Sequence, residues 1–174
     1  MGYTVIRSHE ICAGHRVVGH ESKCRHLHGH NYKFHFKVAP KHGCGKVVTR
    51  GKLVEDGLDN VGRVIDFSVV KTTLCQWLED NWDHKFLHWE HDSVINSLIV
   101  VASTEFAREN NLVKDEDYNP FVDSLVALPF NPTAENLAAY MVDVICPQLL
   151  DEYGVELVEC TIEETSKCHV NYCK

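Results

Sequence analysis

Between Asn31 and Ala39 the chain alternates without a break: Tyr32, Phe34, Phe36 and Val38 are apolar, and Lys33, His35 and Lys37 lie between them. Strand side chains point alternately to opposite faces, so this segment predicts a half-buried strand with its aromatic residues on one side. Residues 3–18 predict another strand, opening on Tyr3-Thr4-Val5-Ile6 and carrying Ala13-Gly14-His15-Arg16-Val17. Residues 40–62 are rich in Gly, Lys and Asp and predict a long excursion with a ragged hairpin. Helical spacing takes over afterwards. Asp66 or Ser68 can cap a helix whose stripe is Phe67, Val70, Leu74, Trp77, Leu78 and Trp82. A second helix is expected after Pro132, with Thr133 as N-cap, Glu135 in the first turn and Leu137, Met141, Val144 and Ile145 on its apolar face. Pro147 should stop or kink it. Residues 155–164 predict a final strand.

Residues 88–122 do not fit this plan and read as an insertion. Ser93 to Asn110 can form a helix with Val94, Leu98, Val101 and Phe106 as a partial stripe, and residues 114–119 read as a polar loop. The order of elements predicts an α+β fold, an antiparallel sheet with helices on one face. At 174 residues the chain is expected to form a single domain able to bury its own core.

Composition adds little to this picture, since 44% apolar and 24% charged residues are ordinary for a globular chain. There is no apolar run long enough for a membrane span, and Met1 to Arg7 lack the apolar segment of a signal peptide. A cytoplasmic setting follows, with the eight cysteines as thiols. Cys12, Cys75, Cys146 and Cys160 have apolar neighbours and are expected in the core. Charge is more informative. The net charge of −8 argues against general nucleic-acid binding. Yet residues 1–52 hold ten Lys and Arg against Glu10 and Glu21, a balance of +8, and the remainder carries −16. That asymmetry suits either a solvated basic face or an anionic small molecule drawn to the N-terminal third.

The same third holds eight of the twelve histidines, grouped about Cys24-Arg25-His26-Leu27-His28-Gly29-His30-Asn31-Tyr32. On an extended chain His28 and His30 share a face, and a hairpin would bring His15 opposite them. Three imidazoles suit Zn²⁺ and leave a fourth position for substrate. His-x-His with one distant His also arises by chance, and His9, His20, His26, His35 and His42 read as surface or satisfied histidines. Gly29 would allow close backbone approach to a metal or ligand. Cys24, beside Lys23, Arg25 and several histidines, is a candidate nucleophile or base. In Asp83-His84 a carboxylate can orient a ring for proton transfer, though a helix-terminal histidine is the simpler explanation. Glu164 is either a surface charge or an acceptor for a guanidine-like ligand edge.

In order along the chain, Gly14-His15-Arg16, Cys24-x-x-x-His28-Gly29-His30-Asn31-Tyr32, Val64-Ile65-Asp66-Phe67, Asp83-His84-Lys85-Phe86-Leu87, Pro132-Thr133-Ala134-Glu135-Asn136 and Glu164-Thr165 resemble the 6-pyruvoyl-tetrahydropterin synthase and 6-carboxytetrahydropterin synthase family. The resemblance implies a tunnelling fold: a four-stranded antiparallel sheet with two helices, closing as an oligomeric barrel of three subunits and stacking to a hexamer. It implies Zn²⁺ on His15, His28 and His30, a proton relay of Cys24, Asp83 and His84, and a pterin pocket of Glu164, Thr133 and Glu135. Sites in that family lie between subunits, so Asp83 and His84 would serve a neighbour's Cys24. Three residues separate Cys24 from His28-Gly29-His30, which is similar to the carboxytetrahydropterin branch serving 7-deazapurine (queuosine) synthesis; animal-type pyruvoyl enzymes have a longer gap. The implied substrate is 7,8-dihydroneopterin triphosphate, with Lys23, Arg25 or a neighbour receiving the triphosphate. A non-catalytic zinc-stabilised binding module is the reading from another class.

Overall fold

A computed structural model describes residues 2–41, 47–49, 52–54 and 57–174. Its main sheet has six strands: β1 (Val5–His15), β2 (His28–Pro40), β5 (Phe86–Trp89), β6 (Leu125–Leu128), β7 (Val155–Thr165) and β8 (Cys168–Cys173), in the order β6-β5-β1-β2-β7-β8. Strands β3 (Val47–Thr49) and β4 (Lys52–Val54) form a separate antiparallel hairpin inside the expected excursion. The fold is α+β, but the expected four-stranded antiparallel sheet is corrected to a six-stranded mixed one. Pairing of β1 with β5 and of β5 with β6 is parallel, while β2–β7 and β7–β8 are antiparallel.

The chain divides into two compact units. The first comprises residues 1–11, 31–80 and 134–174. Here the alternation of β2 works as expected: Tyr32, Phe34, Phe36 and Val38 are all fully buried, and β7 contributes Leu157, Cys160 and Ile162 to the core. A helix over 67–81 starts at Asp66, whose carboxylate accepts from the Ser68 N–H at 2.8 Å, the expected cap. Val70, Leu74 and Leu78 of its stripe are buried, but Phe67 is exposed. Its middle turn, Lys71–Cys75, widens to π geometry. The helix from Ala134 does not stop at Pro147. A π turn at Met141–Ile145 precedes Cys146–Leu150, so Pro147 sits in the first turn of a renewed α segment, where its missing N–H costs nothing. Leu137, Met141 and Ile145 are buried, and Val144 is exposed. Strand β8 was not expected from the sequence.

The second unit, residues 12–30 and 81–133, contains the whole insertion. The expected helix of Ser93 to Asn110 breaks at Thr104, which ends Ser93–Ser103 and caps Glu105–Glu109 through its side chain. Its expected stripe is also corrected. Val94, Leu98, Val101 and Phe106 are exposed, and the small residues Ala102 and Ala107 are buried with Ile95. Residues 114–119 are no loop, since Asp115–Asp123 is helical. Strands β5 and β6 flank this helical segment, so the insertion is threaded into the sheet. Among the described residues no helix is long and apolar enough to cross a membrane.

Candidate metal centre and proton relay

Two glycines determine how the histidines meet. A Cβ on Gly29 would lie 3.0 Å from the Ala13 carbonyl, and one on Gly14 would lie 2.7 Å from the Phe86 ring. The first approach is tighter than most side chains make, so Gly29 serves the close contact of β2 with β1. This strand–strand contact is by itself a structural reason for glycine at position 29. It leaves His28 and His30 beside His15, with ring centroids 4.4 Å (His15–His28), 5.2 Å (His15–His30) and 5.0 Å (His28–His30) apart. One nitrogen from each ring lies within 4.8 Å of the others, as a shared ion requires.

Two of the rings are oriented by main-chain carbonyls. His15 Nδ1 is 2.7 Å from the Pro132 carbonyl and His28 Nδ1 is 2.8 Å from the His26 carbonyl. A carbonyl only accepts, so each Nδ1 carries the proton and Nε2 remains as the ligand atom, the arrangement that orients metal-bound histidines. His15 is 2% exposed. Burial pushes its pKa from 6.5 to about 4; the Pro132 hydrogen bond opposes this, and His28 and His30 add to the lowering. His15 is thus a neutral imidazole at pH 7. Three imidazoles with no carboxylate or thiolate among them fit a borderline-soft divalent ion. Among the described residues this is the one metal-capable group, and neither Cys24 nor Asp83 belongs to it.

Cys24 lies in the short 3₁₀ turn Lys23–Arg25, half-buried, with its carbonyl accepting from the Val17 N–H at 2.8 Å. That bond ties the cysteine to the chain two residues beyond His15. Asp83 and His84 form a pair as expected: Asp83 Oδ2 lies 2.7 Å from His84 Nδ1, and Oδ1 accepts from the Cys12 N–H at 2.8 Å. Partial burial pushes the Asp83 carboxyl up, but the bonds from Cys12 and His84 and the His84 charge outweigh it, so its pKa is lowered and it stays ionised. His84 is no helix-end residue in ordinary geometry. Its φ is +55°, a left-handed conformation that costs a non-glycine residue about 1 kcal/mol or more, held by its N–H to the Cys12 carbonyl at 2.7 Å. Its side chain is 80% exposed, facing solvent. Cys12 is correspondingly an exposed thiol whose backbone holds Asp83 and His84, not the core residue expected; Cys75, Cys146 and Cys160 are buried.

Glu164 occupies a bulge. Glu163 pairs with His169 and Thr165 with Cys168, leaving Glu164 as the extra residue of β7. Bulges re-aim side chains and concentrate beside functional sites. Thr133 directly precedes the helix at Ala134, and Glu135 is an exposed first-turn charge. Of the other histidines, His9 faces Glu79, His20 accepts from the Ser22 N–H, His35 bridges Ser8 and Glu163, and His26 is exposed. His42 lies outside the described residues. Sequence reasoning missed the Pro132 carbonyl and the ion pair of Arg16 with Asp92, in which Nε and Oδ2 are 3.2 Å apart. Only the Asn131-Pro132 turn dipeptide hinted at the former.

Residues 4–174 match the family model described as 6-pyruvoyl tetrahydropterin synthase. A 6-carboxy-5,6,7,8-tetrahydropterin synthase from Rickettsia bellii is 29% identical over 161 residues, covering 92% of this chain and 93% of that protein. Among solved structures, an uncharacterized protein from Wolinella succinogenes superposes with a TM-score of 0.74 at 20% identity, covering 98% of this chain and 97% of that one. A catalytic-residue mutant of Plasmodium vivax 6-pyruvoyltetrahydropterin synthase gives 0.62 at 15% identity, covering 99% and 97%.

Proposed function

Because the chain belongs to the 6-pyruvoyl tetrahydropterin synthase family, we propose that it is a zinc-dependent lyase that converts 7,8-dihydroneopterin triphosphate and water to 6-carboxy-5,6,7,8-tetrahydropterin, acetaldehyde and triphosphate. The observation that carries the reading is the convergent trio of His15, His28 and His30, two of them oriented by backbone carbonyls. Three protein ligands with an open fourth position mark catalytic rather than structural zinc, which disfavours a merely stabilising metal. The names of relatives such as the Rickettsia bellii protein, and the three-residue gap after Cys24, support the carboxy product over the pyruvoyl one.

Zinc held by the trio would act as a Lewis acid toward the hydroxyls of the substrate side chain. Cys24 removes a proton from that side chain, with its thiolate as the base. His84 carries protons on the opposite side, held in one orientation by Asp83. The exposure of His84 suits service to the site of a neighbouring copy, in a trimer or hexamer. Glu164, set out by its bulge, accepts from the N–H edge of the pterin ring, and Thr133 and Glu135 line the pocket. Residues of the basic N-terminal third, Lys23 and Arg25 among them, receive the triphosphate. The whole chain acts as one pterin-synthase domain with an insertion at about 88–122, working in the cytoplasm and supplying 7-deazapurine (queuosine) synthesis.

The test is incubation of zinc-loaded protein with 7,8-dihydroneopterin triphosphate, followed by mass spectrometry. The expected products are the carboxypterin and acetaldehyde. A pyruvoyl product without acetaldehyde would move the chain to the other branch, and release of neither would remove the enzyme reading.

A further inference from the structure

The bond that holds His15 has its own support. Pro132 offers its carbonyl to His15 Nδ1 at 2.7 Å, and Pro132 lies in a three-residue turn closed by the Thr133 N–H donating to the Asn131 carbonyl at 2.8 Å. Proline's fixed φ makes this the inverse γ-turn, the low-energy form. The Asn131 side chain ties this turn to the chain just beyond β1. Its Oδ1 accepts from the Val18 N–H at 2.9 Å, and its Nδ2 donates to the Val18 carbonyl at 2.8 Å. One amide thus closes a two-bond clasp on the backbone three residues beyond His15. Ligand and carbonyl are fastened to the same short stretch of chain, and the gap between them is spanned at both ends.

We propose that Asn131 is a positioning residue of the metal centre, holding the Pro132 carbonyl where it fixes the His15 tautomer and so setting metal affinity without touching the metal. The proposal rests on the reading of the histidine trio as a metal site. A neutral histidine presents Nε2 as a ligand only when its proton is on Nδ1, and the partner of Nδ1 decides that. Partners of metal-bound histidines are worth about 10- to 100-fold in metal affinity. An aspartate at 131 would keep the acceptor for the Val18 N–H but set a carboxylate oxygen against the Val18 carbonyl. An alanine would lose both bonds.

The experiment titrates the full chain with Zn²⁺ alone against a chromophoric chelator, comparing wild type with Asn131→Ala, Asn131→Asp and His28→Ala. Long-range ¹⁵N–¹H spectra of the metal-free proteins report the His15 tautomer. Far-UV circular dichroism identifies which variants fold, and Asn131→Asp carries the test if Asn131→Ala does not. Zinc affinity should fall about 10- to 100-fold in the folded variant, with the His15 proton moving away from Nδ1. A folded variant with wild-type affinity and an unchanged Nδ1–H tautomer overturns the proposal. Failure of the underlying metal reading looks different: wild type itself then binds no stoichiometric zinc, or His28→Ala binds as well as wild type.

Discussion

Acidifying the zinc-stripped protein should destabilise it through one residue above all. His15 would take up its proton near pH 6.5 in the unfolded chain but only at about 4 in the folded one, chiefly because it is buried. The unfolded state therefore binds more protons throughout that window, and stability falls as pH is lowered through it. The contribution is intact above pH 6.5, is lost progressively toward 4, and changes no further below that. At about 1.4 kcal/mol per pH unit, the loss amounts to about 3 kcal/mol. That is a large share of the about 5–15 kcal/mol available to a domain. The control is His15→Asn, whose Nδ2 takes the place of Nδ1 and can still donate to the Pro132 carbonyl but does not titrate. Urea unfolding of both proteins with a chelator present, at half-unit steps from pH 7.5 to 4, isolates the histidine by difference. The wild type should lose about 3 kcal/mol more than the variant across this range. Parallel stability curves would refute the buried neutral imidazole, and with it the physical basis for His15 as a ready ligand.

Other consequences follow from single side chains. Asp92 is 1% exposed, caps the helix Ser93–Ser103 through the Val94 and Ile95 N–H groups, and faces Arg16. Asp92→Asn keeps the cap but strands the guanidinium; because Arg16 is 17% exposed and reaches water, the cost should lie near the low end for a broken buried pair, about 3 kcal/mol in urea unfolding. Asp92→Ala should lose about 1 kcal/mol more, and equal losses would deny the cap. Cys24→Ala should fold and retain one zinc per chain in a metal assay while turnover falls by about 100-fold or more; near-normal turnover would remove Cys24 from the chemistry. Glu164→Gln should raise KM more than it lowers kcat in steady-state kinetics, and the opposite split would place Glu164 at the reacting atoms.

The elements legible in the sequence were those whose signal is local. Strand β2 could be read because each second residue from Tyr32 to Val38 enters the core, and the helix at 67 because Asp66 caps it within two residues. Strands β5 and β6 are four residues each, Phe86–Trp89 and Leu125–Leu128, too short to show a period, and their parallel partners lie far along the chain. The insertion misled for a different reason. Its large apolar residues, Val94, Leu98, Val101 and Phe106, face outward, and burial falls on Ala102 and Ala107, which carry almost no pattern. At the site, the three imidazoles were visible as residue types, and the resemblance to a family ordered them. The carbonyls of Pro132 and His26 that orient two of them were not, because every residue offers the same group. Asp83-His84 could be read as a pair, but the left-handed turn holding His84 depends on Cys12, 71 residues from Asp83 in sequence.

The central claim is that the trio is the metal centre of a lyase that cleaves a carbon–carbon bond. The most direct measurement titrates metal-stripped protein with Zn²⁺ and counts acetaldehyde and triphosphate released from 7,8-dihydroneopterin triphosphate. Both should rise together with added zinc, in equal amounts, and level off at one ion per chain. Equal release from stripped and loaded protein, or triphosphate without acetaldehyde, would contradict it.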